Sequence, residues 1–261
     1  MRTERGWTVE QVAEQLMCSP SKVSRLETGQ RGASPRDIRD LAEIYDLDRE
    51  RLQQLLDLAA EGKQRAWWQS RNLPYSHYVG FEVEAVSISD FGFGLVPGLL
   101  QTADYARAVL QSIQPPLTAA VIEQRLEARL ERQALLWSDS APTFQTVIDE
   151  AVLHRIAGGP EVMRHQLQQL LDASELPNVT IQVLPYLAGS LPVSNNKFII
   201  LAFEPPVPGL VFIEGLTGDL YLDDEDDVQA YNHAFDALKS KAADPERSRV
   251  IIASIVAALE G

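Results

Sequence analysis

The sequence predicts two domains, an all-α N-terminal domain of about five helices followed by an α+β domain with a mainly antiparallel sheet. Three observations predict this. Before Gly62, apolar residues recur at i, i+3, i+4 and i+7 behind Ser, Thr or Asp caps, the pattern of short amphipathic helices. After Pro142, short β-rich runs are separated by Pro- and Gly-rich turns and flanked by helical patterns. Charge divides in the same way: residues 1–71 hold 12 Lys+Arg and 12 Asp+Glu, whereas residues 72–261 hold 11 and 25, and with them the whole formal charge of −14. The expected division is 1–62 for the helical domain, 63–77 for a linker and 78–261 for the second domain.

In the first domain, Val9, Val12, Ala13 and Leu16 line one face of a short helix that Thr8 caps. A break at Met17 and Cys18 follows. Ser19 is then an N-cap, Pro20 takes the first helical position, and Val23 and Leu26 point inward. Two short helices joined by a tight turn form a helix-turn-helix, which leaves Ser21, Lys22 and Arg25 on the outward face of the second. Lys and Arg reach phosphates or guanine edges and small serines permit close approach. Gln30 and Arg31 follow in a Gly-bounded turn suited to backbone contact. The candidate DNA-contacting residues are therefore Thr8, Ser19, Ser21, Lys22, Arg25, Gln30 and Arg31. Five basic residues against Glu27 and Asp37 give the stretch from Ser19 to Arg39 a local excess of three positive charges, which keeps DNA binding compatible with an acidic chain. Ser34-Pro35 starts another helix with Ile38, Leu41, Ala42 and Tyr45 inward, and Asp48 starts one with Leu52, Leu55, Leu56 and Ala59 inward.

The run S-P-S-K-V-S-R-L-E-T-G-Q-R from Ser19, with S-P-R-D-I-R-D-L-A-E-I-Y-D-L from Ser34, resembles the XRE (Cro/repressor-type) helix-turn-helix of actinobacterial transcriptional regulators. V-P-G-L-L-Q-T from Val96 to Thr102, followed by D-Y-A-R from Asp104 to Arg107, resembles the hallmark of their long C-terminal domain, and the Trp67–Trp68 pair is shared with that family. The resemblance covers nearly the whole chain. It implies a toxin–antitoxin-like (WhiJ-like) regulator that binds double-stranded DNA as a homodimer, with a small partner protein encoded nearby, of the kind seen with BldB-like proteins. Three departures bear on DNA affinity. Only Met1 to Gly6, about a turn and a half, stand where the family has a full first helix. Val9 replaces a Gln that contacts the DNA backbone, and Met17 replaces a turn Gly.

Trp67 and Trp68 are expected to pack the linker onto the second domain. Phe81, Val83 and Ala85 alternate with Glu82 and Glu84 as in a half-buried strand or extended lead-in segment. Pro97-Gly98 turns the chain and Thr102 caps a helix through Leu110. Glu82, Glu84 and Arg107 are open to two readings, a ligand-binding cluster or structural ion pairs joining the two halves of the domain. A long helix from Thr118 to Trp137 has Ile122, Leu126, Leu130 and Ala134 inward, a stripe of Glu123, Glu127 and Glu131, and another of Arg125, Arg129 and Arg132. Such stripes are ordinarily solvated; Arg125 and Arg129 are candidates for a partner or carboxylate ligand. Strands follow at 144–148, 179–184, 198–203, 210–214 and 220–222, and helices at 150–156, 161–173, 226–242 and 245–259.

The catalytic signatures are lacking. Ser19-x-x-Lys22 has no S-D-N or K-T-G companion, and no phosphate-binding Gly motif or G-x-S-x-G is present. Four histidines show no metal-ligand spacing, Asp223 to Asp227 lies where acidic residues favour a helix start, and lone Cys18 excludes an internal disulfide. With neither a signal core nor a membrane-length apolar run, the expectation is a cytoplasmic regulator without enzymatic activity, metal, cofactor or membrane contact. Its alternatives are an antitoxin-like protein that sequesters a partner, or a metabolite sensor with its pocket near Glu82, Glu84 and Arg107.

Overall fold

The computed structural model describes residues 2, 5–27, 33–61, 76–191, 193, 197–215 and 218–259. Gln30, Arg31, Trp67, Trp68 and most of the expected linker lie outside these residues. The chain divides into two compact units, Met1–Ser70 and Arg71–Gly261.

Four helices are described in the first unit: α1 (Val9–Gln15), α2 (Pro20–Glu27), α3 (Pro35–Ile44) and α4 (Arg49–Glu61). Each begins where a capping side chain stands. Thr8 and Gln11 form a reciprocal capping box at α1, and Ser34 and Asp37 form another at α3. Ser19 Oγ accepts from the Lys22 amide at 3.3 Å, and Asp48 Oδ1 from the Arg51 amide at 2.7 Å. Val12, Ala13, Val23 and Tyr45 make a small core on which Trp7, Leu16 and Leu41 pack. Met17 ends the α1 region with φ 48, the left-handed turn conformation that glycine adopts without penalty.

The second unit holds α5 (Ser76–Glu84), β1 (Ser87–Gly92), α6 (Ala103–Gln111), α7 (Ala119–Gln133), β2 (Thr143–Asp149), α8 (Glu150–His154), α9 (Pro160–Ala173), β3 (Val179–Leu184), β4 (Phe198–Ala202), β5 (Leu210–Ile213), β6 (Leu220–Leu222), α10 (Glu225–Lys241) and α11 (Pro245–Ala258). Its six strands form one mixed sheet in the order β3-β2-β1-β4-β5-β6. β1, β2 and β3 run parallel, joined by crossovers that carry α6–α7 and α8–α9; β4, β5 and β6 add antiparallel ladders on the other side of β1. On one face Phe91, Val147, Phe198, Ile200 and Val211 pack against Phe235 and Leu238 of α10. The opposite face carries Ile88, Asp90, Phe144, Ile199 and Phe212, and Tyr78 of α5 stacks on Phe212 with ring centroids 4.3 Å apart.

Three sequence expectations need correction. The segment Phe81 to Ala85 is not a strand but the end of α5 and the residue after it. The positions buried on α5 are Tyr78, Val79 and Glu82, a helical set in which Glu82 holds an inward place that the alternation assigned to solvent. The first strand is instead Ser87–Gly92, hidden by its polar Ser87, Ser89 and Asp90. In α7 the exact spacing of four fails, because a helix advances 3.6 residues per turn. Leu130 is 40% exposed and Ala134 opens a 3₁₀ turn, while Ala128 and Arg132 face inward with Ile122 and Leu126.

Candidate functional site

The helix-turn-helix surface follows from the capping pattern. Ser19 and Pro20 start α2 with Val23 buried and Leu26 half-buried against the core, so Ser21 and Arg25 are left on the exposed side. Arg25 Nε donates to the Ser21 carbonyl at 3.2 Å, which lays its guanidinium along the outer face of the helix. Thr8 is exposed at the start of α1 beside this surface in sequence order, with its hydroxyl engaged as the cap. Lys22 stands differently from the expectation. It is half-buried, and its Nζ donates to Asp37 Oδ1 at 2.5 Å, which ties α2 to α3. That ammonium and the Ser34 hydroxyl hold the Asp37 carboxyl well below the usual carboxylate range. Lys22 therefore braces α2 against α3, and among the described residues Arg25, Arg36 and Arg39 remain the exposed cations of this stretch.

A second arrangement lies in the α+β unit. Glu82, fully buried, accepts two hydrogen bonds from Arg132 of α7, Nε to Oε2 at 2.6 Å and Nη2 to Oε1 at 2.7 Å. Tyr78 donates its hydroxyl to Glu82 Oε1 at 2.6 Å, and the Arg132 guanidinium lies 5.3 Å from the Tyr78 ring centroid. The hallmark segment after β1 closes the same region: Gln101 Nε2 donates to the Val96 carbonyl and Arg129 Nη1 donates to Gln101 Oε1, each bond within 2.7 Å. Beneath them is a cavity of about 240 Å³ whose lining includes Tyr78, Glu82, Asp90, Arg129, Lys197 and Phe212. Asp90 is 3% exposed, and its Oδ1 has no hydrogen-bond partner among the described residues. Burial pushes its pKa up to about 6, Lys197 acts in the opposite direction, and Glu82 and Glu214 add to the rise. A larger cavity of about 430 Å³ in the helical unit is bordered mainly by apolar core side chains such as Leu16, Val23 and Ile38, and its charged lining residues, Arg2 and Glu27, pair with each other at 2.6 Å.

The expected trio of Glu82, Glu84 and Arg107 is not assembled. Glu82 belongs to Arg132, Glu84 is exposed, and Arg107 bridges Asp104 and Glu123 on the surface at 3.1 and 3.0 Å. Of the arginine stripe, half-buried Arg129 reaches the cavity, Arg125 is half-buried and does not line it, and Arg132 turns out to be the buried partner of Glu82. Sequence reasoning missed Asp90 and Lys197. The available signal was an aspartate between Ile88 and Phe91, a polar residue inside a run that is otherwise strand-like. Among the described residues no group of His, Cys, Asp and Glu is placed to hold a metal ion, and no helix is long and apolar enough to cross a membrane.

Comparison with known proteins gives two family matches. Residues 1–55 match a helix-turn-helix domain, and residues 75–254 match a domain of unknown function, DUF5753. No curated protein and no solved structure matches the chain. The helix-turn-helix domain points to DNA binding and transcription regulation rather than to an enzyme. Since the second match spans more than half of the chain and the first covers most of the helices described before it, the chain belongs to the DUF5753 family and carries a DNA-binding helix-turn-helix at its N-terminus.

Proposed function

We propose that the chain is a sequence-specific transcriptional regulator of the XRE type, in which α2 enters the major groove and the second domain dimerises and receives a signal. The observation that carries this reading is α2 itself: a Ser-capped, Pro-started helix with Val23 buried and Ser21 and Arg25 exposed on the other side. The Lys22–Asp37 pair supports it by bracing α2 against α3, so the exposed side is presented at a fixed angle. In a dimer the two copies of α2 would stand about 34 Å apart on a pseudo-palindrome. The acidic second domain would disfavour DNA approach from other faces. A small partner protein encoded nearby, or a ligand, is the proposed signal.

The test is binding to DNA from upstream of the gene itself, titrated against salt. The reading expects preference over random sequence, affinity that falls steeply with salt, and for Arg25→Ala weaker binding with a salt slope lower by about one if the contact is to phosphate. If neither the native chain nor an N-terminally extended form prefers that DNA, autoregulation fails and an antitoxin-like role in sequestering a partner takes its place.

A further inference from the structure

The cavity of the α+β unit is floored by the sheet and walled by helices. Asp90 of β1, Phe144 of β2, Ile199 of β4 and Phe212 of β5 form the floor, and α5, α6 and α7 contribute the walls. Asp90 is in register with Thr146 of β2, so the two side chains stand next to each other on one face of the sheet. Thr146 is 1% exposed, and its Oγ1, like Asp90 Oδ1, has no hydrogen-bond partner among the described residues. Buried polar atoms are normally paired, and a buried carboxylate without a donor is costly. Asp90 lines the cavity and is placed to meet something that enters it, and Thr146 stands directly beside it on the next strand.

The chemistry of that occupant can be read from the lining. The other acidic groups already have cations, Glu82 in the bidentate pair with Arg132 and Glu214 with Lys197 at 3.9 Å. Asp90 is the acceptor left over, and a hydroxyl beside it can accept a second N–H. An ammonium group, with three donors on one nitrogen, satisfies both at once. The remaining lining is largely apolar and aromatic, with Tyr78, Val109, Ile113, Phe144 and Phe212 around the space. A volume of 240 Å³ equals about eight water volumes, the bulk of a single-ring compound. Exposed Leu95 and Glu214 mark where it opens to solvent.

We infer that this cavity binds a small amine with an apolar body, its ammonium held by the Asp90 carboxylate and the Thr146 hydroxyl. The ammonium can come from a free amine or from a hydrophobic amino acid, whose carboxylate would face the cationic side of the lining, where Arg129 stands with Lys197. This deepens the reading of the second domain as the receiver of a signal, yet the binding itself does not depend on DNA.

Calorimetric and thermal-unfolding titrations of the full chain with phenethylamine, phenylalanine and phenylacetate test it. At least one of the two ammonium compounds should bind and raise the unfolding midpoint, and phenylacetate should not. Tighter binding of phenethylamine assigns the site to amines, and tighter binding of phenylalanine to amino acids. Asp90→Asn should weaken binding by about tenfold to a hundredfold, the loss of a charge-assisted bond. Thr146→Val, nearly isosteric, should weaken it several-fold and serves as the readout if the Asp90 variant does not fold. The inference is overturned if phenylacetate binds as well as the amines, if neither ammonium compound binds at about 10 mM, where a millimolar Kd would be evident, or if the folded variants bind like the native chain. Failure of the DNA-binding reading would appear in the DNA titration alone and leave these titrations unchanged.

Discussion

The two units satisfy their polar groups in opposite ways. In the helical unit most polar contacts are short-range and near solvent: Thr8 with Gln11, Ser19 with Lys22, Ser34 with Asp37 and Asp48 with Arg51 all span three residues. In the α+β unit the decisive contacts are buried and remote in sequence. Glu82 and Arg132 are 50 residues apart, and Gln166 reaches back 66 residues to the Leu100 carbonyl and 64 to the Thr102 amide. Local caps define where helices begin, and remote buried pairs define which helix covers which part of a sheet. A surface that reads DNA needs exposed groups on a braced helix, whereas a cavity needs walls that are held from behind. Asp90 and Thr146 are exceptions that set off the second pattern, buried side chains each with an oxygen that has no hydrogen-bond partner among the described residues.

The largest effect is expected where the remote pattern is broken outright. Glu82→Ala leaves the Arg132 guanidinium buried without its counter-charge, and a loss of about 3–5 kcal/mol is expected in denaturant unfolding. If the variant loses under about 1 kcal/mol, comparable to a helix cap, the contrast between the units is not real.

A smaller effect of opposite sign is expected at Asp90. Its folded pKa of about 6 lies above the ordinary 3.8, so the folded state binds the proton more tightly than the unfolded chain. Stability from this group is fully present below about pH 4 and is lost as pH rises through 6. Asp90→Asn should therefore stabilise the ligand-free protein by about 2–3 kcal/mol at pH 8 and by almost nothing at pH 4. The groups that set this balance are Lys197 and Arg132 against burial, Glu82 and Glu214. A stability gap independent of pH would show that Asp90 is not a buried acid.

The smallest effect belongs to the local pattern. Met17 is 93% exposed at φ 48, so Met17→Gly removes a backbone penalty without removing packing. After the greater freedom of glycine in the unfolded chain is allowed for, a gain of about 0.5–1 kcal/mol in the helical unit is expected. A rise in the unfolding midpoint of that unit checks it, and a fall would show that the turn is not held left-handed.

Much of the fold was legible because its signals are local. The capped starts at Thr8, Ser19, Ser34, Thr102 and Thr118 and the strands from β2 to β6 fall within a residue or two of their expected places. The acidic run at Asp223 to Asp227 is a helix start as expected, with Asp224 capping α10. Legibility ended at α5 and β1. A segment read as alternating from Phe81 to Ala85 was ambiguous over so few residues, and the strand that follows puts an aspartate where apolar residues are expected.

The sequence by itself determined the two-part division, the helix caps, the exposure of Ser21 and Arg25 on α2 and most strand positions, because each rests on residues within a turn or a few positions of one another. Tertiary structure alone decided that β1, β2 and β3 pair in parallel within the mainly antiparallel sheet, that Glu82 faces inward to Arg132, and that Asp90, in register with Thr146, lines a cavity. Those outcomes depend on which strands become neighbours and which helix crosses above them. That choice is made by burial of apolar faces across tens of residues, a term that no local pattern of polar and apolar residues contains.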